Sequence, residues 1–242
     1  TWPRDWFERR FRPLSERVPP ALFAHLSPAA QSALDAVSAT RQYESGQIVM
    51  LEGEVNAPVF VVRRGAVRVS RTSAEGREQT LIRLGPGSAF NVPAAFPNGA
   101  ATPAPVVAPA SAVTLAPAEL AVISRNDFCQ TVIHTPELAL IVLRDLALKV
   151  SHLTNLSRDL GLLTVRARLA SFLLAHGQRP EGPPLEGVQV RWTHHEIAAQ
   201  IGTVREVVSR TMRAFVRDGL IALERHRIVV LDREALMLEA ES

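Results

Sequence analysis

Cysteine is nearly missing from these 242 residues: Cys129 stands alone. An intrachain disulfide and an iron–sulfur cluster held by several thiolates are therefore excluded, and no cofactor is expected from that chemistry. One cysteine also fits a reducing compartment. Lysine is as scarce. Lys149 is the only one, so nearly all the positive charge is arginine. The formal net charge is only +3, so any surface basic enough to attract nucleic acid must be local. Uncharged runs long enough to span a bilayer are missing too. Ala104 to Ile123 carries a single acid, Glu119, but Pro105, Pro109 and Pro117 are spaced too closely for a spanning helix. Thr1 to Arg17 mixes charge with aromatics and does not read as a secretory leader. A cytoplasmic protein with no membrane partner is expected.

What is present falls into three stretches: a first domain over 1–135, a connecting helix over 136–162 and a third domain over 163–242. The first forty residues read as short helices, with Ser27 an N-cap and Pro28 at the first helical position. From Tyr43 the pattern changes to short β-prone runs: Ile48–Leu51, Val59–Val62, Val67–Ser70, Thr80–Leu84, Ala112–Leu115 and Ala121–Ser124. Glycines 46, 53, 65, 76, 85 and 87 punctuate them, so an antiparallel roll is expected, with no helix of useful length between 44 and 125. Pro136 then opens a helix reaching about Leu160. Ala139, Leu143, Leu146, Val150, Leu153, Ser157 and Leu160 recur at alternating steps of four and three, a heptad seam. A plain structural reading packs that face on its own domain. A seam of three heptads between two domains is better explained by a second copy, which makes Leu143, Leu146, Val150 and Leu153 the dimerisation residues.

A further helix, Thr164–His176, ends at Gly177, and the proline- and glycine-rich Gln178–Gly187 reads as a loop. Thr193 and Glu196 form a capping box for a short helix holding Ile197, Ala198 and Ile201. Gly202 supplies a turn. Thr203 with Glu206 reads as a second capping box, and Val207, Val208, Met212, Phe215 and Val216 give the next helix a buried face. Helix, glycine turn and helix make a helix-turn-helix. Its second helix exposes Arg205, Glu206, Ser209, Arg210, Arg213 and Arg217. From Thr203 to Arg217 there are four arginines and one glutamate, net +3 over fifteen residues. The local charge missing from the bulk composition is here. Arginine bonds bidentately to guanine, and a carboxylate accepts from cytosine. Arginines that merely face solvent are the plainer reading of such a helix, and Glu206 as a simple cap. Gly219–Asp232 adds two short strands around a charged turn, the layout of a wing, and favours DNA.

Over nearly its whole length the chain resembles the cyclic-AMP receptor protein / fumarate–nitrate regulator (Crp/Fnr) family. The motifs are S-G-Q-I-V (45–49), E-G-E (52–54), R-R-G-A-V-R-V-S (63–70), G-R-E-Q-T-L (76–81), L-G-P-G (84–87), R-E-V-V-S-R (205–210) and R-I-V-V-L-D (227–232). The resemblance implies an α+β architecture. A cyclic-nucleotide-binding-like antiparallel β-roll comes first, then a long dimerisation helix, then a winged helix-turn-helix. It implies a homodimeric, non-enzymatic regulator in which Arg205, Glu206 and Arg210 read base edges of a palindrome. Thr193, Thr203, Ser209 and Arg213 complete the expected DNA-contacting set. Glu206, Ser209 and Arg210 also match the E-x-x-S-R pattern of the fumarate–nitrate branch, so half-sites like TGTGA or TTGA are expected. RNA polymerase is the implied protein partner.

The first domain, which the resemblance implies to be the sensor, departs from the family. The cyclic-nucleotide branch implies a Gly-Glu pair and an Arg followed by Ser or Thr around the phosphate. Here 88–107 reads S-A-F-N-V-P-A-A-F-P-N-G-A-A-T-P-A-P-V-V, with no lysine or arginine between Arg83 and Arg125. A cyclic phosphate without a cation loses its charge-assisted bonds. Binding in the usual mode is therefore not expected. Haem needs an axial ligand, yet Tyr43–Asp127 holds no histidine or cysteine; Met50 is its one soft ligand, and Cys129, His134 and His152 lie beyond it. A haem- or redox-sensing regulator of the same family stays open as an alternative, and so does a protein-interaction module that binds no DNA. An enzyme is disfavoured. The roll lacks cupin histidines, and adjacent His194 and His195 point about 100° apart on a helix, so they do not chelate together.

Overall fold

The computed structural model describes residues 21–96, 106–177, 192–224 and 227–241. Its contacts divide them into two compact units, one of residues 21–71 and 81–153, the other of 72–80 and 154–241. The expected loop over 178–187 and part of the uncharged cassette (97–105) lie outside the described residues.

The first unit opens with helix α1 (Pro28–Ala36), whose N-cap is Ser27 with Pro28 at the first position, as the sequence indicates. The Ser27 hydroxyl accepts from the Ala30 amide. Two four-stranded sheets follow. One has the order β1-β8-β3-β6, from β1 (Ser38–Tyr43), β8 (Ala118–Ile123), β3 (Val59–Arg64) and β6 (Ala89–Phe90). The other has the order β2-β7-β4-β5, from β2 (Ile48–Met50), β7 (Ser111–Thr114), β4 (Val67–Thr72) and β5 (Glu78–Leu84). The β1–β8, β8–β3, β3–β6, β2–β7 and β7–β4 pairs are antiparallel. Among the described residues between 44 and 125, the one helical element is a four-residue 3-10 turn, Val92–Ala95.

The sequence reading of 38–40 as part of a helical lead-in is overturned: β1 pairs with β8 in register from Ser38↔Ile123 to Tyr43↔Ala118. The strand lies at a sheet edge, and its residues 39–42 are exposed, so it lacks the apolar alternation that marks a half-buried strand. Central β3 shows the opposite case. Val59 and Val61 pack into a core with Phe128, Val132, Leu138 and Ile141, while Phe60 and Val62 pack into a second with Met50, Leu84 and Leu120. A strand buried on both faces reads as a continuous apolar run. Phe60 and Phe90 stack at 4.7 Å across the β3–β6 pair. Gly65, at φ 83°, is required after β3: a Cβ there would stand 2.4 Å from the Pro117 carbonyl oxygen.

Helix α2 (Arg125–His134) is N-capped by Ser124, which accepts from the Asp127 amide. The S-x-x-D spacing carries that signal, which the sequence reading passed over. Helix α3 (Pro136–Leu162) then runs for 27 residues. Among the described residues, no helix is long and apolar enough to cross a membrane.

In the second unit, helices α4 (Val165–His176), α5 (His194–Ile201), α6 (Arg205–Arg217) and α7 (Arg233–Glu239) surround one core. Strands β9 (Ile221–Glu224) and β10 (Arg227–Val230) pair antiparallel, as expected of a wing.

Candidate nucleic-acid interface

Thr193 starts α5 with the capping box read from the sequence: its hydroxyl accepts from the Glu196 amide, and its own amide donates to Glu196 Oε2 at 2.8 Å. Gly202 ends the helix in the left-handed region, φ 70° and ψ 50°. The Thr203 amide closes back on the Ala198 carbonyl at 3.0 Å. That bond overturns the second capping box. Thr203 is spent on terminating α5, and α6 starts from Val204 with no side-chain cap, leaving Glu206 at the second helical position. The first amides of α6 are thus not answered by a cap.

Val208, Met212 and Phe215, at steps of four and three, are fully buried against Leu169, Leu173, Ile197 and Ile201. Val207 is only half-buried and Val216 is 40% exposed, so the buried face is narrower than the sequence suggested. Val216 lies at the margin of the buried stripe 208–212–215, about 40° around the helix from Met212 and about 100° from Phe215, which leaves it partly open. Arg205, Glu206, Arg210, Arg213 and Arg217 are exposed, and half-buried Ser209 accepts from Arg213 Nη2 at 3.2 Å. The sequence-chosen arginines therefore share a solvent-facing surface with a helix N-terminus at one end, an arrangement that attracts phosphates and presents bidentate donors to base edges.

In the first unit, cations meet the cassette at its carbonyl oxygens. Lys149 Nζ donates to the Ala89 carbonyl at 2.7 Å and to the Asp145 carboxylate. Arg125 Nε donates to the Ala94 carbonyl at 2.6 Å. Asn91 takes a left-handed conformation, φ 58°, and its amide donates to the carbonyls of Ala57 and Pro58. Sequence reasoning missed the Asp145–Lys149 pair, although the i, i+4 spacing of opposite charges on a helix was there to find it.

Two family models match: a cyclic nucleotide-binding domain over residues 40–134 and a Crp-like helix-turn-helix domain over 167–238. The cyclic AMP receptor protein of Thermus thermophilus is 33% identical over 202 residues, covering 82% of this chain and 86% of its own. The chain belongs to the Crp/Fnr family of transcription regulators. A CRP-like cAMP-activated global transcriptional regulator of Mycobacterium tuberculosis is 29% identical, covering 90% of this chain and 96% of its own. A Crp/Fnr-family chain from Eubacterium rectale, 24% identical, shares the fold with a TM-score of 0.69 over 94% of this chain and all of its own.

On this Crp/Fnr chain the heptad seam divides. Leu143, Val150 and Leu153 are 65%, 63% and 44% exposed. Ala139 and Leu146 turn partly into the chain's own core. Leu140, Leu143, Ala147, Val150, Thr154 and Ser157, again at alternating steps of three and four, are all exposed. The open stripe is therefore rotated slightly from the one read in the sequence. Of the ligand candidates beyond the roll, Cys129 is half-buried, His134 is exposed, and buried His152 holds the Leu81 carbonyl through Nε2 at 2.8 Å.

Proposed function

We propose that this regulator is a cytoplasmic homodimer that binds a palindromic DNA site and does so without cyclic AMP in the usual mode. The observation that carries the reading is the α6 surface, where Arg205, Arg210 and Arg213 face solvent beside Glu206 at an uncapped helix start. In this reading Arg205, Glu206 and Arg210 contact base edges, and Thr193, Thr203, Ser209 and Arg213 hold the phosphates and the register. The stripe through Leu140, Leu143, Ala147, Val150 and Leu153 pairs with its copy, with Leu146 at its margin. Dimerisation then sets the two recognition helices about 34 Å apart, one turn of DNA. RNA polymerase is the partner expected at a promoter, and the domain partition 1–135, 136–162 and 163–242 serves sensing, pairing and reading. The reading assigns the chain no catalysis.

Independence from cyclic AMP follows from charge. The cations that reach the described cassette, Lys149 and Arg125, donate to carbonyl oxygens, and Lys149 already carries Asp145. A buried cyclic phosphate would have to displace that carboxylate and would find no arginine in the sequence from 84 to 124.

The test is selection of duplex DNA from a random pool with purified protein and no added ligand. A recovered palindrome with TGTGA- or TTGA-like arms is expected. Enrichment that appears only when cyclic AMP is added would overturn the effector-free part. No enrichment with or without it would overturn the DNA-reading part.

A further inference from the structure

Arg166 ties together three elements of the DNA-reading unit. It sits in the first turn of α4, and its Nε and Nη2 donate to the two carboxylate oxygens of Glu239 at the end of α7, each at 2.6 Å. Nη2 also donates to Asp218 Oδ2 at 3.0 Å, on the residue that caps the end of α6. The guanidinium carbon lies 4.6 Å from the centroid of the Phe215 ring. Phe215 and Asp218 are one turn apart, so a single side chain grips the last turn of α6 at a buried ring and at a surface carboxylate. Immediately beyond, Gly219 turns the chain at φ 72° toward β9 and the wing.

We propose that Arg166 is a positioning residue for DNA reading: it fixes the tilt of α6 against α4 and α7 without touching DNA itself. The inference rests on α6 reading bases. Its basis is leverage. The twelve steps from Arg217 back to Arg205 span about 18 Å at the helical rise, so a tilt of about 5° at the clasped end moves the reading end by roughly 1.6 Å. A recognition constellation has to be held within about 0.5 Å, so the far end of the helix needs a rigid hold. A planar bidentate fork supplies direction as well as attraction, which a lysine ammonium does not. Phosphate contacts tolerate such a tilt better than base-edge contacts, because a long side chain follows a phosphate while bidentate pairing to a base does not.

The test measures full-length protein against its selected palindrome and against an unrelated duplex of equal length, at one salt concentration and at a temperature where each variant is folded. Arg166→Met is expected to weaken palindrome binding about tenfold or more, the size of a lost base contact, while the unrelated duplex changes by less than about twofold. Arg166→Lys should recover only part of the loss. Leu236→Ala, which cuts the same core from α7, should lower the melting temperature and leave the ratio of the two affinities unchanged. An unchanged ratio in Arg166→Met, or an equal fall in Leu236→Ala, overturns the proposal. A wild-type protein that prefers no sequence overturns the underlying DNA reading, and is distinguishable because it appears before any variant is made.

Discussion

Lys149 in the first unit and Arg166 in the second, helix-turn-helix unit both hold carboxylates, in different dielectric settings. The Lys149 and Asp145 side chains are 16% and 2% exposed, and burial pushes the Asp145 carboxyl up and the Lys149 ammonium down from their ordinary values. Arg166, Asp218 and Glu239 keep 35%, 36% and 27% of their side-chain surface, and hydrogen bonds from Arg166 hold both carboxyls below the ordinary range. In the first case desolvation outweighs attraction; in the second the bonds outweigh desolvation. A buried pair costs much to form and more to break, and Lys149, held by Asp145, joins α3 to β6 through the Ala89 carbonyl. An exposed network adds little stability and serves direction, which is what the end of a reading helix needs. The first tie is about existence of the fold, the second about its aim.

The comparison breaks most visibly at Lys149. Lys149→Met leaves the Asp145 carboxylate buried without its cation and should destabilise the first unit by about 3–5 kcal/mol in urea unfolding. Asp145→Leu combined with Lys149→Met removes both charges and should recover most of that loss. A single variant no worse than the double one would mean that burial does not govern this pair. Next in size is Arg210→Ala, expected to cost about 1–3 kcal/mol in palindrome affinity and to relax preference at one base position, read by repeating the selection. Its unfolding curve should match the wild type, because Arg210 is exposed. Equal affinity for the palindrome would remove Arg210 from the base-reading set.

Legibility in the sequence follows the same division. The helix-turn-helix was open to reading because its signals are local: a capping box at Thr193, a glycine at the left-handed position 202, and buried residues at helical steps. Most strands of the roll were legible from β-branched runs between glycines. Strand β1 was not, since an exposed edge strand takes its conformation from pairing with β8 rather than from its own pattern. Thr203 was misread for a related reason. Its spacing to Glu206 satisfies the capping pattern, but the Ala198 carbonyl takes its amide first. The clasp and the buried pair differ again. Asp145 and Lys149 are four residues apart, whereas Arg166 meets Glu239 from 73 residues away, and no sequence window contains both.

A smaller effect probes the reading unit without touching either tie. Thr193→Ala removes the hydroxyl that answers the Glu196 amide and should cost about 1 kcal/mol of stability. Palindrome affinity at a temperature well below the transition should fall only by whatever Thr193 itself contributes at the phosphates. A stability loss of nothing, measured by denaturant unfolding, would show that the capping box is dispensable in this context.

The smallest effect, and the one that sharpens the contrast between the ties, is in pH. Asp218 and Glu239 have folded values below their ordinary 3.8 and 4.5, so the stability they lend is complete above those values and is lost as pH falls through the folded ones. Asp145 behaves in the opposite sense. Its folded value lies above the ordinary 3.8, so on acidification the folded chain takes up that proton before the unfolded chain does, and the first unit is relatively favoured. Hydrogen exchange separates the two, because amides of α4 and α6 report the clasp while amides of α3 and β6 report the buried pair. As pH falls below the ordinary values and through the lower folded ones, the protection gap between wild type and Arg166→Met should narrow in α4 and α6, since acid removes from the wild type what the substitution removes from the variant. In α3 and β6 the same acidification should leave no such gap to close. If the gap in α4 and α6 persists at the acid end, the carboxylates of Asp218 and Glu239 are not what Arg166 holds, and its grip on α6 would reduce to the ring of Phe215.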